Sequence, residues 1–300
     1  MAAPYTGTGG SAEYTIRGID IQKLVEGFAE EGVILKSYCR VTPTTAREIR
    51  YYSKASSLTA AGYLLGPTTT GITDSLISNT SQKSVPVAVE PSYTRATAWI
   101  RKYFAESPLI SIEDLNDCDF DIWADMIKDI VRAVNYQVDA RIYTVMTTAT
   151  GVQTAGATAV WTSAATADPI KDILTMKQAL RAYYYDPEGA ILYMKSSDHK
   201  NLLTFLINVK GSSIHAFTNT AMGSGVVQEI LGCKVVVSET ATAASVVMFI
   251  PDKSMVYKQF IGLTTAIVDD PGIGKKVRVW SEGEPICVNP KSVYVLTTCA

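Results

Sequence analysis

The sequence has little charge and little imbalance between charges of opposite sign. Charged residues make up 19% of the 300 residues, and the formal net charge is −2, whereas a charged share of about 25% is usual. This balance disfavours a protein that condenses nucleic acid, because binding of phosphates requires clustered positive charge. It favours association between copies, since near-neutral subunits repel one another only weakly.

Histidines and paired cysteines are also scarce. His199 and His215 are the two histidines, and neither lies in a spacing typical of zinc ligands. The cysteines are odd in number and contain no CxxC pair, which favours reduced thiols in an intracellular product; an intersubunit disulfide through Cys299 is the alternative. These cysteines are Cys39, Cys118, Cys233, Cys287 and Cys299.

No run of about 18 apolar residues is present, so no membrane-spanning helix is expected. Residues 1–18 lack the basic and apolar segments of a secretory signal. Asp117, Asp119 and Asp121 resemble part of a calcium loop, but the glycine and glutamate of that loop are missing. Acidic residues at the start of a helix explain this run better, with a weak surface cation as the alternative.

Motifs of catalysis and nucleotide binding are missing as well. Residues 271–276 do not match a phosphate-binding loop, and a turn between two strands explains them better. Nothing in the chain resembles the turn that exposes a nucleophilic serine in hydrolases. We therefore predict no catalytic residue, no cofactor site and no metal site.

Apolar residues, by contrast, make up 47% of the chain, which is enough for a sizeable core. After residue 120, apolar residues recur three or four positions apart and predict a helix of roughly 30 residues, about 45 Å long. The stripe comprises Trp123, Ile127, Ile130, Val134, Val138, Ile142 and Val145. Charged residues are expected on the opposite, solvent-facing side: Asp125, Lys128, Asp129, Arg132, Asp139 and Arg141.

The chain before this helix is poor in apolar anchors. Residues 1–18 predict an extended arm, residues 19–31 a short amphipathic helix, and residues 33–41 a strand. Segments 47–54 and 93–104 are predicted to be extended. They flank almost forty residues rich in Thr, Ser, Gly and Pro. Structureless loops of this length are uncommon within compact domains, so we predict a long two-stranded projection.

The chain after this helix alternates short helices and strands. Residues 147–168 read as a low-complexity connection, followed by helices over 170–185 and 197–207 and a strand over 190–194. Together they predict an α+β protein whose arm and projection need neighbouring copies to cover them. Further strands are predicted over residues 226–231, 233–238, 246–251, 255–260, 264–269, 276–282, 285–288 and 292–296.

This order of elements resembles the Hong Kong 97-type major capsid protein of tailed bacteriophages and related archaeal viruses. Residues 111–117 leading into the long helix are similar to the entry into that family's spine helix. Residues 186–194 are similar to the first strand of its A-domain, and residues 231–238 resemble the strand that follows. Residues 277–290 resemble the returning strands of its P-domain.

The resemblance implies a division of the whole chain. Residues 1–41 would be the N-terminal arm and residues 42–105 the E-loop hairpin. The spine helix and its connection, in the P-domain, would occupy residues 106–168. The remaining segments would be the A-domain (169–255), the P-domain strands (256–290) and a C-terminal strand returning to the A-domain (291–300).

The resemblance also implies a function. The chain would be a non-enzymatic major capsid protein that forms hexamers and pentamers of an icosahedral shell around double-stranded DNA, which it contacts without sequence preference. Partners would include separate scaffolding and portal proteins and also minor or decoration proteins, with no membrane, in a virion assembled in the host cytoplasm. The alternatives are an encapsulin-like nanocompartment holding an enzyme cargo and, with less support, an ordinary α+β enzyme whose long loop acts as a lid.

Some members of this family join an E-loop lysine to an asparagine of a neighbouring subunit. Lys83 and Asn289 lie in the corresponding segments, but their spacing alone favours ordinary surface residues. They are therefore not predicted as sites. This chain starts directly with the arm, so the long N-terminal scaffolding segment of some members is expected to be absent.

Overall fold

A computed structural model describes residues 34–53, 94–113, 122–163, 166–208 and 229–299. The predicted helix over 19–31, the middle of the predicted projection and the acidic run all lie outside these residues. So do three single residues discussed above: Lys83, Cys118 and His215.

The described residues form three α-helices and a series of strands, with short 3₁₀ turns at Leu35–Tyr38 and Pro290–Ser292. The helices are α1 (Ile122–Thr148), α2 (Pro169–Ala182) and α3 (Ser196–Asn208). The strands of the first half are β1 (Arg40–Pro43), β2 (Glu48–Ser53), β3 (Thr94–Trp99), β4 (Arg101–Glu106), β5 (Ile110–Ser111) and β6 (Gln153–Gly156). Those of the second half are β7 (Ile191–Met194), β8 (Glu229–Ile230), β9 (Cys233–Val237), β10 (Ser245–Phe249), β11 (Met255–Asp270), β12 (Gly274–Cys287) and β13 (Val293–Thr297).

Helix α1 confirms the predicted apolar stripe. Val134 and Ile142 are completely buried and Val138 nearly so, because a spacing of four places them on one face of the helix. This face packs against β12 and β4 and lies within one continuous apolar cluster. The long helix therefore covers one sheet of the molecule.

Two residues predicted to face solvent on this helix do not. Asp139 is 3% exposed, and its carboxylate accepts hydrogen bonds from the backbone N–H groups of Ile34, Leu35 and Lys36. Arg141 is largely buried and pairs with Glu284. Helical periodicity cannot reveal partners that lie more than 100 residues away, which is why this prediction was wrong.

The first sheet, here called the P-sheet, has the order β1-β11-β12-β4, and β5 also pairs with β12. β11 and β12 form one long antiparallel hairpin, whereas the sequence predicted two shorter strands in place of each. β11 stays continuous because shifts in its pairing register between Gln259 and Thr264 accommodate Gly262. In β12, Gly283 leaves room for the Tyr257 hydroxyl, which a Cβ would meet at 2.4 Å.

The predicted strand over 33–41 was partly wrong. Residues Leu35–Tyr38 form a 3₁₀ turn, and β1 begins only at Arg40, parallel to β11. The turn forms because Asp139 satisfies the backbone N–H groups at its start and because Leu35 is buried in the core. The Asp139 carboxylate therefore determines where the chain enters the body.

The second sheet, here called the A-sheet, has the order β6-β13-β10-β7-β9-β8. Helices α2 and α3 contribute Met176, Leu180 and Leu202 to the apolar cluster on this sheet. The predicted irregular connection over 147–168 contains β6, which pairs in parallel with β13. Asp172 fixes the rest of that connection, because its carboxylate accepts bonds from Thr158 and the Trp161 indole.

β2 and β3 form a separate two-stranded ribbon with Glu48 opposite Trp99 and Ser53 opposite Thr94. This pairing confirms the extended segments predicted on both sides of the long loop. The second segment is in fact two strands, because the chain turns at Ile100 and continues as β4 in the P-sheet. Helix α2 also ends at Ala182, three residues earlier than predicted, since Tyr184 adopts a left-handed conformation (φ 61°).

Candidate assembly interface

The ribbon exposes large aromatic side chains that the described residues do not cover. Tyr52 and Trp99 are 61% and 64% exposed. Alternation along the strands places them on one face with Arg50 and Arg95, whereas Ile49 is buried on the other face. Aromatic and arginine side chains are the types enriched in protein interfaces, so this face suits contact with another protein.

A buried carboxylate joins the base of the ribbon to the helix and the P-sheet. Glu284 of β12 is 3% exposed, and its Oε1 accepts hydrogen bonds from Nη2 and Nε of Arg141 on α1 at 2.6 and 3.2 Å. Its Oε2 lies 3.5 Å from Nε of Arg101, the first residue after the ribbon's turn. One carboxylate thus links α1, β12 and β4.

Two tyrosines border this carboxylate. Tyr103 and Tyr257 are buried, and within the described residues neither hydroxyl has a hydrogen-bond partner within ordinary distance. Burial raises the pKa of Tyr103, and the negative charge of Glu284 adds to that effect. Burial likewise raises the pKa of Tyr257 to about 12. Both therefore stay neutral, and Glu284 is the acidic group that balances Arg141.

The entry of the chain at residues 34–36 is a second fixed point. Burial raises the pKa of the Asp139 carboxyl, while the three backbone N–H bonds and the nearby Lys36 oppose that effect. The Lys36 ammonium lies 4.9 Å from the centre of the Tyr257 ring. Asp139 therefore positions the root of the N-terminal segment against both the helix and the P-sheet.

The β11–β12 hairpin ends in a tip of mixed character, called here the hairpin tip (residues 267–276). Ile267 and Ile273 are each 60% exposed. Asp269 lies directly opposite Lys275, so one arm of the tip is acidic and the other is basic. The tip thus combines exposed aliphatic side chains with charges of both signs.

Catalytic or metal-binding clusters were not predicted, and among the described residues no three His, Cys, Asp or Glu side chains converge as metal ligands. Burial raises the pKa of Cys39, Cys287 and Cys299 to about 12, so these thiols are poor nucleophiles. Within the described part of the chain, no helix is long and apolar enough to cross a membrane.

Other singled-out residues have local structural contacts. Asn289 donates a hydrogen bond to the Lys253 carbonyl at 2.9 Å. Cys299 is completely buried, which leaves its thiol out of reach of another subunit and argues against the alternative of an intersubunit disulfide. The Nε2 atom of His199 is buried, and burial lowers the pKa of this imidazole.

Sequence reasoning missed Glu284, Asp139 and the ribbon face. For Glu284 a weak signal exists, because this acidic residue directly precedes the apolar residues 285–288. Nothing in the local sequence distinguishes Asp139 from the other charged residues of its helix.

These surfaces can be compared with known proteins. The profile of a family described as phage capsid protein matches residues 109–295 of this chain. This chain belongs to the phage capsid protein family. No curated protein sequence matches it.

Solved structures of phage and GTA capsids share the fold of this chain. The chain is similar to the capsid of a native GTA particle, with a TM-score of 0.71, 13% identity and coverage of 99% of this chain and 100% of the other. It is similar to the capsid of the cyanophage P-SCSP1u (TM-score 0.69, 11% identity, coverage 94% and 93%). It is also similar to a structure of Mycobacterium phage Che8 (TM-score 0.66, 12% identity, coverage 95% and 98%).

These matches confirm the predicted Hong Kong 97-type capsid fold. The family match confirms the predicted role of the chain as a capsid protein. The virion capsid is accordingly the location that the family indicates.

Proposed function

We propose that this capsid protein forms hexamers and pentamers that close into an icosahedral shell around double-stranded DNA. The observation that carries the proposal is the ribbon face, where Tyr52 and Trp99 remain exposed on a chain of low charge. Exposed aromatics of this size are covered when neighbouring copies pack together. The similarity to assembled capsids of a GTA particle and a phage supports the same reading.

The division into arm, E-loop, P-domain and A-domain belongs to this proposal. The separate hydrogen-bonded P-sheet and A-sheet support it, and β13 supports a C-terminal return to the A-domain. β6 requires one change to this division. Residues 153–156 pair within the A-sheet, although the division assigned them to the P-domain.

The remaining partners are also proposed. Scaffolding and portal proteins would be separate chains, decoration proteins would bind the outside, and assembly would take place in the host cytoplasm. A structural role without enzymatic activity agrees with the family. The family match favours a viral capsid over the encapsulin-like alternative.

Electron microscopy and sedimentation of the purified chain test the proposal. We expect capsomers or closed shells whose formation depends on protein concentration. A folded chain that stays monomeric over a wide range of salt and protein concentration would contradict it. Nuclease-protected double-stranded DNA in particles recovered from infected cells distinguishes a genome container from a cargo compartment.

A further inference from the structure

Three buried polar atoms at the junction of β4, β11 and β12 have no hydrogen-bond partner among the described residues. They are the hydroxyl oxygens of Tyr103 and Tyr257 and the Oε2 atom of Glu284. The three residues are 7%, 0% and 3% exposed. Buried polar atoms without a partner are rare in folded proteins because each one costs free energy. Three such atoms in one region therefore point to a partner that they share.

The two tyrosine hydroxyls lie beside the same stretch of β12. Ser281 of this strand stands directly opposite Tyr103 of β4. The ring of Tyr257 lies across Gly283, two residues further along, where an added Cβ would collide with the hydroxyl. The Ser281 hydroxyl is a neighbour of the Tyr257 hydroxyl, but it donates its own hydrogen bond to the Ile261 carbonyl, at 3.4 Å. Ser281 therefore leaves both tyrosine hydroxyls without a donated bond.

The Glu284 carboxylate completes the group. Burial raises the pKa of both tyrosines, and the negative charge of Glu284 adds to this effect at each of them. The Oε1 atom of this carboxylate accepts a bond from Arg141 at 2.6 Å. The Oε2 atom has only the looser approach of Arg101, at 3.5 Å. A small molecule between Oε2 and the two hydroxyls would contact all three atoms.

The chemistry of the three atoms selects the kind of molecule. Both tyrosines are neutral, so each hydroxyl can donate a hydrogen bond, whereas Oε2 can only accept one. The charge of Glu284 is already balanced by Arg141, which leaves no net charge to hold an ion. The ligand must therefore be small, neutral and able both to accept and to donate. Water meets these conditions, and a buried water typically makes about three hydrogen bonds.

We propose that one water molecule is bound permanently at this junction. It accepts hydrogen bonds from Tyr103 and Tyr257 and donates one to Oε2 of Glu284. The water thereby connects β4, β11 and β12 and, through the Glu284 carboxylate, reaches helix α1. This site belongs to the folded subunit and does not depend on the proposed shell function.

Replacement of the hydroxyls tests the site in the full, unassembled chain. The variants are Tyr103→Phe, Tyr257→Phe and the two changes combined, and each keeps its aromatic ring in the core. The matched control is Tyr294→Phe, which lies in the apolar cluster of the A-sheet. Denaturant unfolding measures the unfolding constant, and oxygen-17 relaxation dispersion counts the water molecules that stay bound for longer than the protein takes to tumble.

We expect each single replacement to raise the unfolding constant about fivefold, because the water loses one hydrogen bond. The double replacement should raise it by less than the product of the two single effects, since both hydroxyls hold the same water. The oxygen-17 signal should lose one long-lived water in the double variant. The Tyr294→Phe control should keep the full signal.

Three results would overturn the site. If the hydroxyls had no partner, their removal would relieve a desolvation cost, and the unfolding constant would fall. If the two single effects multiplied exactly, the hydroxyls would have separate partners. If the double variant were destabilised while the oxygen-17 signal stayed unchanged, the tyrosines would bond directly to protein groups.

Discussion

The Glu284 carboxylate and the Arg141 guanidinium form the best-buried ion pair among the described residues, with 2.6 Å between Oε1 and Nη2. Arg101 approaches the same carboxylate more loosely, at 3.5 Å, and most of its side chain is exposed. Burial makes the first contact strong but costly to break, because a single remaining charge would lack compensation. The second contact is screened by solvent and should contribute little to stability.

Replacement of Arg141 should therefore destabilise the subunit far more than replacement of Arg101. Arg141→Met leaves Glu284 buried with only a distant cation, and we expect a loss of about 3 kcal/mol in the free energy of unfolding. Arg101→Met should cost less than about 1 kcal/mol. Denaturant unfolding of the unassembled variants measures both values, and equal losses would show that Glu284 is not balanced mainly by Arg141.

Asp139→Asn should loosen the entry of the chain without unfolding the helix. An amide offers one acceptor oxygen and presents N–H groups to the backbone donors of residues 34–36, so at least one buried donor loses its acceptor. We expect a loss of about 1–3 kcal/mol in the free energy of unfolding. Amide hydrogen exchange at residues 34–36 should accelerate, while Asp129→Asn, on the exposed side of α1, should leave it unchanged.

Ala244→Gly should stabilise the subunit, although Ala→Gly is usually destabilising. Ala244 has φ 61°, a left-handed conformation that costs about 1–2 kcal/mol for a residue with a Cβ. Glycine removes this strain but increases the entropy of the unfolded chain, so we expect a net gain of up to about 1 kcal/mol. Ala179→Gly, within helix α2, is the matched control and should lose about 1 kcal/mol. A thermal melt that shows both variants destabilised would contradict the prediction.

Val134→Ala should cost about 2 kcal/mol, because Val134 is completely buried between α1 and the P-sheet. Tyr136→Ala removes a larger side chain that is 56% exposed on the same helix, and it should change stability by less than about 0.5 kcal/mol. Melts of the unassembled subunits compare the two. A larger loss at Tyr136 would mean that the buried face of the helix has been assigned to the wrong side.

Stability should also depend on pH through His199. Burial lowers its pKa in the folded state below the ordinary value of 6.5, so the unfolded chain binds a proton more readily. The neutral imidazole therefore contributes stability above pH 6.5 that is lost as the pH falls through and below that value. Replacing His199 with leucine should flatten the decline of unfolding free energy below pH 6.5, and an unchanged slope would contradict this assignment.

Local patterns revealed much of this fold from the sequence. The stripe through Val134, Val138 and Ile142 needed only the helical period, which neighbouring residues determine. The order of elements then suggested the family. Contacts across long sequence separations were not accessible, because the roles of Asp139 and Glu284 depend on residues more than 100 positions away.

The sequence predicted that assembly surfaces exist but not which residues form them. Low charge and a long projection indicated contacts between copies, but they did not identify the exposed Tyr52 and Trp99 as one face. That required the register of β2 against β3, which places Tyr52 opposite Arg95 and Glu48 opposite Trp99. The parallel pairing of β1 with β11 was likewise not indicated by any local pattern.

The order of strands in the A-sheet has a consequence for biosynthesis. β13 lies between β10 and β6, and within the described residues β6 pairs with the sheet through β13 alone. β6 is therefore synthesised long before this partner strand exists, and the described sheet stays incomplete until β13 has emerged from the ribosome. Pairing over such sequence separations is slow. A chain should thus complete its A-sheet late, only after β13 has been synthesised.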